Sequence, residues 1–352
     1  MKLVHWFVAG VLVAPLVLGD YWAERSAIAS DLTRQLQQQP FGRLATSQRQ
    51  DADRLFEEGV TRFQQGNLNA AITLWQAATE QYRLINDMEG QQRAFEYLSQ
   101  AYQKQNKPVE LEHALRQQLR FARARRDFPA LVSHYNQVGE LLLARSSAVQ
   151  SEKTFSEALR LAQDLKDVSG QGRSLTNLGL ASLQQGHYAQ AAAHLTQAIA
   201  LQQQTPNVNG EAIAQNALGV AYRNLGESQK SAGAHLNALI LARTSENFIA
   251  QDQAMTGLAI AYQNLGANQE SRRWIDAQLV ASSGTTTLAR VTALRAMAEF
   301  YQRNGDLAMT DRYYRDAIAT ATQGGYAQAA QDLSQKLETL RRTYYLSPRR
   351  NG

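Results

Sequence analysis

The sequence predicts an all-α protein, a right-handed superhelical solenoid of about seven antiparallel helix pairs closed by a C-terminal capping helix. Three observations lead to this prediction. Several sequence columns recur at a nearly constant interval of about forty positions. Apolar residues recur at helical spacing on both sides of a turn residue in each repeat. The chain of 352 residues is 44% hydrophobic, so it can bury the core that stacked helix pairs need.

Four columns define the repeat. A small residue in the first helix lets the second helix approach, and it falls at Gly59, Ser99, Gly139, Gly179, Gly219, Ala259 and Ala298. A turn residue follows seven positions later, at Gly66, Asn106, Ser146, Gly186, Gly226, Gly266 and Gly305. A larger packing residue comes next, at Trp75, Leu115, Phe155, Leu195, His235, Ile275 and Tyr314. The fourth column is alanine, at Ala78, Ala158, Ala198, Ala238 and Ala317, and Gln278 departs from it.

This pattern resembles a tetratricopeptide repeat array of the long, 40-residue kind. The resemblance is carried by "LGVAY" at 218–222, by "YQNLG" at 262–266, and by openings that place Asp or Asn three residues before glycine. Such openings lie at Asp87 and Gly90, Asp167 and Gly170, and Asn207 and Gly210. The resemblance covers about residues 51–320. It implies a helical scaffold that binds a protein or peptide, and it names no partner.

The order of segments follows from the composition. Residues 1–30 are expected to be a signal peptide or membrane anchor, 31–50 a linker, 51–322 the array, 323–346 the cap and 347–352 a tail. The apolar run 3–18 is shorter than the roughly 20 residues of a membrane span and suits a secretory signal. Tyr21 and Trp22 suit an uncut interfacial helix, so cleavage stays open, as does a buried first helix. Either targeting reading places the array on the extracytoplasmic side, in a periplasm or an equivalent lumen.

Catalytic chemistry is not predicted. The chain has no cysteine, which excludes disulfides, thiolate metal sites and cysteine nucleophiles. His187 and His194 lack partners at metal-ligand spacing, and His235 falls in a packing column. The glycines of "SGQGRS" at 169–174 follow no strand, as a dinucleotide loop would require. We therefore expect no enzyme activity, cofactor, metal or small-molecule substrate.

A basic run extends from Arg116 to Arg126 and leaves alternatives open. Arg116, Arg120 and Arg123 share one helix face by their spacing. A solvated outer face is the favoured interpretation, ahead of contact with anionic lipid or with an acidic partner. Nucleic acid is not an expected partner, because no stacking aromatics accompany the arginines.

The resemblance also implies a concave binding groove. Its inward positions lie three residues before the small residue, and four and five after it. The candidate groove residues at these positions are Asn136, Thr176, Gln184, Asn216, Arg223, Asn224, Thr256, Asn264, Arg295 and Arg303. Amides both donate and accept hydrogen bonds, so they suit the backbone of an extended peptide, and arginines suit carboxylates. The alternative is that these polar residues are merely tolerated on a wet surface.

The predicted function is a non-enzymatic scaffold, exported or membrane-tethered, whose groove holds a peptide or protein segment. By resemblance it would aid the assembly of a membrane or envelope complex. The alternative is a peptide-sensing regulatory protein whose superhelix changes pitch when the ligand binds. Asn216 and Asn264 are not in packing columns, so helix packing is not expected to require them.

Overall fold

The computed structural model describes residues 40–282 and 286–345, and every regular element in these ranges is an α-helix. The first helices of the pairs are α1 Pro40–Gln64, α3 Met88–Lys104, α5 Phe128–Ala144, α7 Val168–Gln184, α9 Val208–Asn224, α11 Phe248–Asn264 and α13 Thr287–Arg303. The second helices are α2 Leu68–Leu84, α4 Pro108–Arg125, α6 Ala148–Asp164, α8 Tyr188–Gln202, α10 Ser228–Thr244, α12 Asn268–Ser282 and α14 Leu307–Gln323. Helix α15, Ala327–Tyr345, follows the last pair. The seven predicted helix pairs and the final helix are therefore confirmed.

Short turns connect the helices and use left-handed backbone. Gly186 and Gly226, inside their repeats, have φ of +78° and +79°, which confirms the conformation expected of glycine at a helix end. Between repeats the same conformation is held by residues that carry a side chain, such as Asn86 at +55° and Lys166 at +56°. The repeat therefore dictates the turn geometry even where the sequence offers no glycine.

The openings with Asp or Asn before glycine are helix caps. Asp167 Oδ1 accepts a hydrogen bond of 2.9 Å from the backbone N–H of Gly170, and Asn207 does the same for Gly210 at 3.0 Å. A Cβ on Gly170 would lie 2.2 Å from the Asp167 carboxylate. Glycine thus lets the capping carboxylate lie close at this position, whereas other caps of the same kind are made to alanine, as by Asp127 to Ala130 and by Asn247 to Ala250.

The small and large columns of each repeat pack directly on each other. A Cβ built on Gly139 would lie 2.3 Å from the Phe155 ring, and one on Gly179 would lie 2.5 Å from Leu195. The large side chains are fully buried in both repeats. The fixed interval between the two columns therefore marks the contact between the two helices of a pair.

The helices form two compact units that divide inside α4, between Phe121 and Ala122. The first compact unit has an aromatic core around the fully buried Trp75 and Tyr82. Phe56 meets Tyr97 edge to face, with ring centroids 5.2 Å apart. Trp75 Nε1 donates a 3.1 Å hydrogen bond to the carbonyl of Phe56, so the largest core side chain is also satisfied as a donor.

The second compact unit contains the repeats from α5 onward. Its last helix, α15, turns Leu333 and Leu337 onto the core formed by α13 and α14, and both side chains are buried. An amphipathic helix at this position removes from water the apolar face that the seventh pair would otherwise expose. It therefore acts as the cap that the sequence predicts.

Some sequence expectations change or fall outside the described ranges. The first helix begins at Pro40, so the second half of the expected linker 31–50 is helical. The predicted signal or anchor, residues 1–30, and the tail 347–352 lie outside the described residues. Among the helices at 40–282 and 286–345, none combines the length and apolarity needed to cross a bilayer.

Gln278, which departs from the alanine column, is buried rather than displaced. Its Nε2 donates to Asp252 at 2.6 Å and to the Thr256 hydroxyl at 2.9 Å. The longer side chain is thus accommodated through hydrogen bonds from α12 to α11. Gln118 at the same position of the second repeat likewise donates from α4 to the Phe95 carbonyl and the Ser99 hydroxyl of α3.

Candidate partner-binding groove

An open groove lies between the C-terminal ends of the first helices α9, α11 and α13. We call it the polar groove, and it is lined by Arg223, Ile260, Gln263, Asn264, Gly266, Asn268, Arg303 and Asn304. Its volume is about 780 Å³. Three of the predicted groove residues, Arg223, Asn264 and Arg303, come together here.

Two arginines give the polar groove a positive charge. Arg303 Nη1 donates a 2.7 Å hydrogen bond to Gln263 Oε1, which holds the guanidinium across the gap between α13 and α11. Arg223 makes no ion pair with any residue of the described ranges, and no described lining residue is acidic. The groove therefore offers two cations to an incoming group, and such guanidinium groups bind carboxylates well.

Side-chain amides provide the other polar contacts. Asn264 is exposed at the end of α11. Asn268 Nδ2 donates a 3.1 Å hydrogen bond to Asn304 Oδ1, so these two amides form one edge of the groove. The sequence analysis missed Asn268 and Asn304, because it considered only first-helix positions and these two residues lie at or beside the turns. Ile260 adds an apolar surface to the groove.

Three other predicted groove residues lie outside the polar groove. Two of them are at the ends of first helices and one is in α13. Gln184 is exposed and donates to the carbonyl of Leu143 at 3.2 Å. Asn224 is also exposed and donates to the carbonyl of Val220 within its own helix, at 2.8 Å. Arg295 is exposed near Glu299, at 4.0 Å. None of the three lines the polar groove.

The sequence predicts that the residues three positions before each small residue are free to bind a partner. For three of these residues the prediction is wrong. Asn136, Thr176 and Asn216 are buried, with at most 5% of their surface exposed. Asn136 Nδ2 donates to the Val132 carbonyl and to the Ser174 hydroxyl, both at 3.0 Å. The fourth, Thr256, is half-buried and accepts the bond from Gln278. These polar residues hold neighbouring helices together.

Asn216 shows why helix packing requires an amide. Its Nδ2 donates to the carbonyl of Ala250 at 2.9 Å, which joins α9 to α11. Its Oδ1 lies 3.1 Å from Nδ1 of His235 on α10. One side chain therefore connects three helices, and the expectation that its loss would leave folding unchanged is wrong.

His235 on α10 packs against α9 and α11 and is buried, with 1% of its surface exposed. Its ring fits between two glycines, because a Cβ on Gly219 would lie 2.5 Å from Nε2 and one on Gly257 would lie 2.3 Å from Cε1. Burial, assisted by the positive charge of Arg223, lowers the pKa of His235 to about 4. The imidazole is therefore neutral at neutral pH, which agrees with its predicted packing role.

The basic run on α4 is partly engaged by its own neighbours. Arg116 pairs with Glu112 at 2.8 Å on the same helix. Arg120 lies over the Phe121 ring, 4.9 Å from its centroid. Arg123 donates to the Tyr135 hydroxyl at 2.6 Å. All three side chains are exposed, as the favoured solvated-face interpretation requires.

The tetratricopeptide repeat family model matches residues 131–204. A sequence search against curated proteins found no match.

Solved structures share the architecture. A signal transduction ATPase with a tetratricopeptide repeat sensor from Pyrococcus horikoshii aligns over 89% of this chain with a TM-score of 0.60 and 17% identity. The match spans 48% of the archaeal ATPase, so this chain corresponds to about half of its length. The apo form of RapI aligns over 78% of this chain and 99% of its own, with a TM-score of 0.61 and 14% identity.

A tetratricopeptide repeat protein from Parabacteroides merdae aligns over 81% of this chain and 99% of its own. Its TM-score is 0.58 at 12% identity. At these identities the three structures show a common fold.

Proposed function

Because the chain has the tetratricopeptide repeat fold, we propose that it is a non-enzymatic scaffold that holds an acidic peptide or protein segment in the polar groove. The observation that supports the proposal is the pair of guanidinium groups, Arg223 and Arg303, in an open groove whose described lining contains no acid. Exposed amides beside them can bond a peptide backbone. The binding surface therefore suits an extended chain that carries carboxylates.

The polar contacts alone are too weak to give micromolar affinity for a partner. A typical hydrogen bond contributes about 1 kcal/mol net, whereas micromolar affinity requires about 8 kcal/mol. The amides and arginines therefore need apolar contacts with surfaces such as Ile260. A partner segment with acidic and aliphatic side chains fits these requirements best.

Replacing both groove arginines tests the proposal. We expect Arg223→Ala with Arg303→Ala to weaken partner capture by about 1–3 kcal/mol, because two charge-assisted contacts are lost. The loss should shrink at high salt, where the parent's own electrostatic attraction is screened. Immobilised parent and variant proteins, exposed to solubilised membrane extract, would be compared by quantitative mass spectrometry.

Two further variants define the controls. Asn264→Ala should weaken capture while leaving the melting curve unchanged, since its side chain is exposed. Arg116→Ala with Arg120→Ala changes two exposed arginines outside the groove and should leave capture intact. If the control pair abolishes capture while the groove pair does not, binding lies on the basic face of α4 and the groove proposal is wrong.

We also propose that the protein is exported or membrane-tethered through residues 3–18, and that it aids assembly of a membrane or envelope complex. The apolar run of these residues, preceded by Lys2 and followed by Asp20, supports the proposal. Deleting residues 1–30 is expected to release the protein into the soluble cytoplasmic fraction. Cell fractionation with amino-terminal sequencing would measure this, and a soluble cytoplasmic full-length chain with an intact terminus would contradict it.

A peptide-sensing regulator is the second candidate function. The archaeal ATPase that shares this fold is described as having a tetratricopeptide repeat sensor. In this chain, Asn216 joins three helices and lies on the same helix as the groove residue Arg223. Packed side chains therefore connect a partner bound in the groove to the contact between α9 and α11. A change in hydrogen exchange on partner binding at α10, which does not line the polar groove, would favour the sensor, and a change confined to the lining helices α9, α11 and α13 would favour the scaffold.

A further inference from the structure

The outer face of α10 carries an uncharged stripe in the second compact unit. We call Gly233, Leu236, Asn237 and Ile240 the α10 stripe, since helical spacing places them on one side of the helix. All four are exposed, with 41% of Leu236 and 57% of Ile240 accessible to solvent. These aliphatic side chains are thus left largely uncovered by the described part of the chain.

The other second helices do not repeat this surface. In the column of Leu236 they carry Gln76, Arg116, Ser156, Thr196, Asp276 and Arg315. In the column of Ile240 they carry Glu80, Arg120, Arg160, Ala200, Val280 and Ala319. Only α10 has a large aliphatic side chain in both columns, so the stripe is a local departure from the repeat and not a product of it.

Gly233 is unexplained by packing inside the described part of the chain. A Cβ at this position would meet no atom within 4 Å, and glycine in a helix interior is destabilising relative to alanine. The close helix approaches at Gly139 and Gly179 have no counterpart here. The missing side chain instead leaves a shallow gap on the outer surface, one turn from Leu236.

We propose that the α10 stripe is a contact surface between two copies of this chain. The two α10 helices would pack antiparallel about a two-fold axis that passes between Leu236 and Asn237. Gly233 and Ile240 are equally distant from that axis, so Ile240 of each copy would fill the gap at Gly233 of the other. An isologous contact of this kind requires such a self-complementary surface.

The chemistry of the stripe favours a second copy over a foreign protein. An amide both donates and accepts, so Asn237 near the axis can pair with its own equivalent. The stripe contains no charge, so two copies would bury no unpaired ion. Helical spacing places Lys230 and Arg243 on opposite edges of the stripe, where both remain in water.

The area available indicates a weak dimer. Phe248 and Ile249 at the start of α11 are 64% and 74% exposed. Together with Leu236 and Ile240 they expose on the order of 400 Å² of apolar side chain, an upper limit to the apolar area open to the contact. A standard interface buries roughly 800 Å² on each partner. Dimerisation should therefore depend on concentration.

Cysteine cross-linking tests the arrangement, because the natural sequence contains no cysteine. In the purified full-length chain, Asn237→Cys should form an intermolecular disulfide on mild oxidation several times faster than Gln197→Cys. Gln197 is a matched control, since it is exposed and occupies the same column one repeat earlier. Adding Ile240→Glu to Asn237→Cys should slow cross-linking to the control rate. Equal cross-linking of the two cysteine variants would overturn the proposal.

Sedimentation of chains without cysteine gives a second test. The parent should show a larger mean mass as its concentration rises. Gly233→Leu should abolish that rise, because the leucine fills the gap that Ile240 of the second copy needs, while it points into open space on its own chain. Circular dichroism should show that this variant is still folded. A parent that stays monomeric at every concentration would overturn the proposal, whether or not another protein covers the stripe.

Discussion

Gly219→Val is expected to destabilise the array by about 3 kcal/mol through overpacking against His235. A Cβ at Gly219 would lie 2.5 Å from Nε2 of the buried ring, a distance that forces a displacement. The ring cannot retreat toward α11, because Gly257 approaches its other face so closely that a Cβ there would lie 2.3 Å away. The helices themselves must separate, and denaturant unfolding of the purified protein would measure the cost.

Two variants make the result specific. Gly233→Ala, which adds a Cβ in open space, should leave stability unchanged or raise it slightly. Gly219→Val combined with His235→Ala should be less destabilised than the sum of the two single changes, because removing the ring frees the space that valine needs. If the Gly219→Val protein melts like the parent, the packing role assigned to the column of small residues is wrong.

Acidification is expected to destabilise the protein by about 3 kcal/mol between pH 6.5 and 4 through His235 alone. The pKa of this imidazole is about 4 in the folded chain, against an ordinary value of 6.5. Between these values the unfolded chain binds the proton more tightly, so protonation favours unfolding. The stabilisation from the neutral ring is therefore complete above pH 6.5 and is lost as the pH falls toward 4.

The geometry around His235 explains why its charged form is disfavoured. The Asn216 amide donates to the Ala250 carbonyl, so its oxygen faces Nδ1 of the ring and accepts that N–H. Nε2 is buried and has no partner among the described residues. A proton added there would stand between Gly219 and Gly257 without an acceptor.

The measurement is the free energy of unfolding against pH for the parent and for His235→Gln. Glutamine keeps a polar contact toward Asn216 but does not titrate. Carboxylates and the other histidines contribute equally to both proteins, so the difference between the two curves isolates His235. Parallel curves between pH 4 and 6.5 would show that the ring is not held neutral by its surroundings.

The fold was predictable because its causes are local and repeated. Gly219 and His235 keep the same spacing in their repeat as Gly139 and Phe155 keep in theirs, so a packing contact becomes a visible sequence period. The Asp167 cap with its glycine recurs for the same reason. A departure such as Gln278 can be detected as a break in a column, but its hydrogen bonds to α11 cannot.

The site was only partly predictable, because the sequence does not reveal whether a polar side chain is hydrogen-bonded within the fold or exposed. Asn216 and Asn264 are both asparagines in first helices, yet the former bonds to Ala250 in the next repeat, while the latter is exposed. Asn136 likewise finds its partner Ser174 in a different repeat. Arg223, Asn264 and Arg303 all line the polar groove, and their role in binding a partner stays a prediction.

The bonds that cross from one repeat to the next restrict how such a chain can change length. Asn136 meets Ser174 and Asn177 in the following repeat, and Asn216 meets the backbone of Ala250 in the repeat after its own. Adding or removing a whole repeat preserves the phase of every helix face, whereas inserting one or two residues inside a helix rotates the rest of that helix out of contact. A change in the connection between helices is absorbed there, since Ala259 and Ala298 are 39 positions apart and the later helices still pack. Duplication of a repeat must also supply a matching acceptor at each new junction. Growth by whole repeats thus keeps the contacts between helices, provided that the junction residues of the joined repeats are compatible.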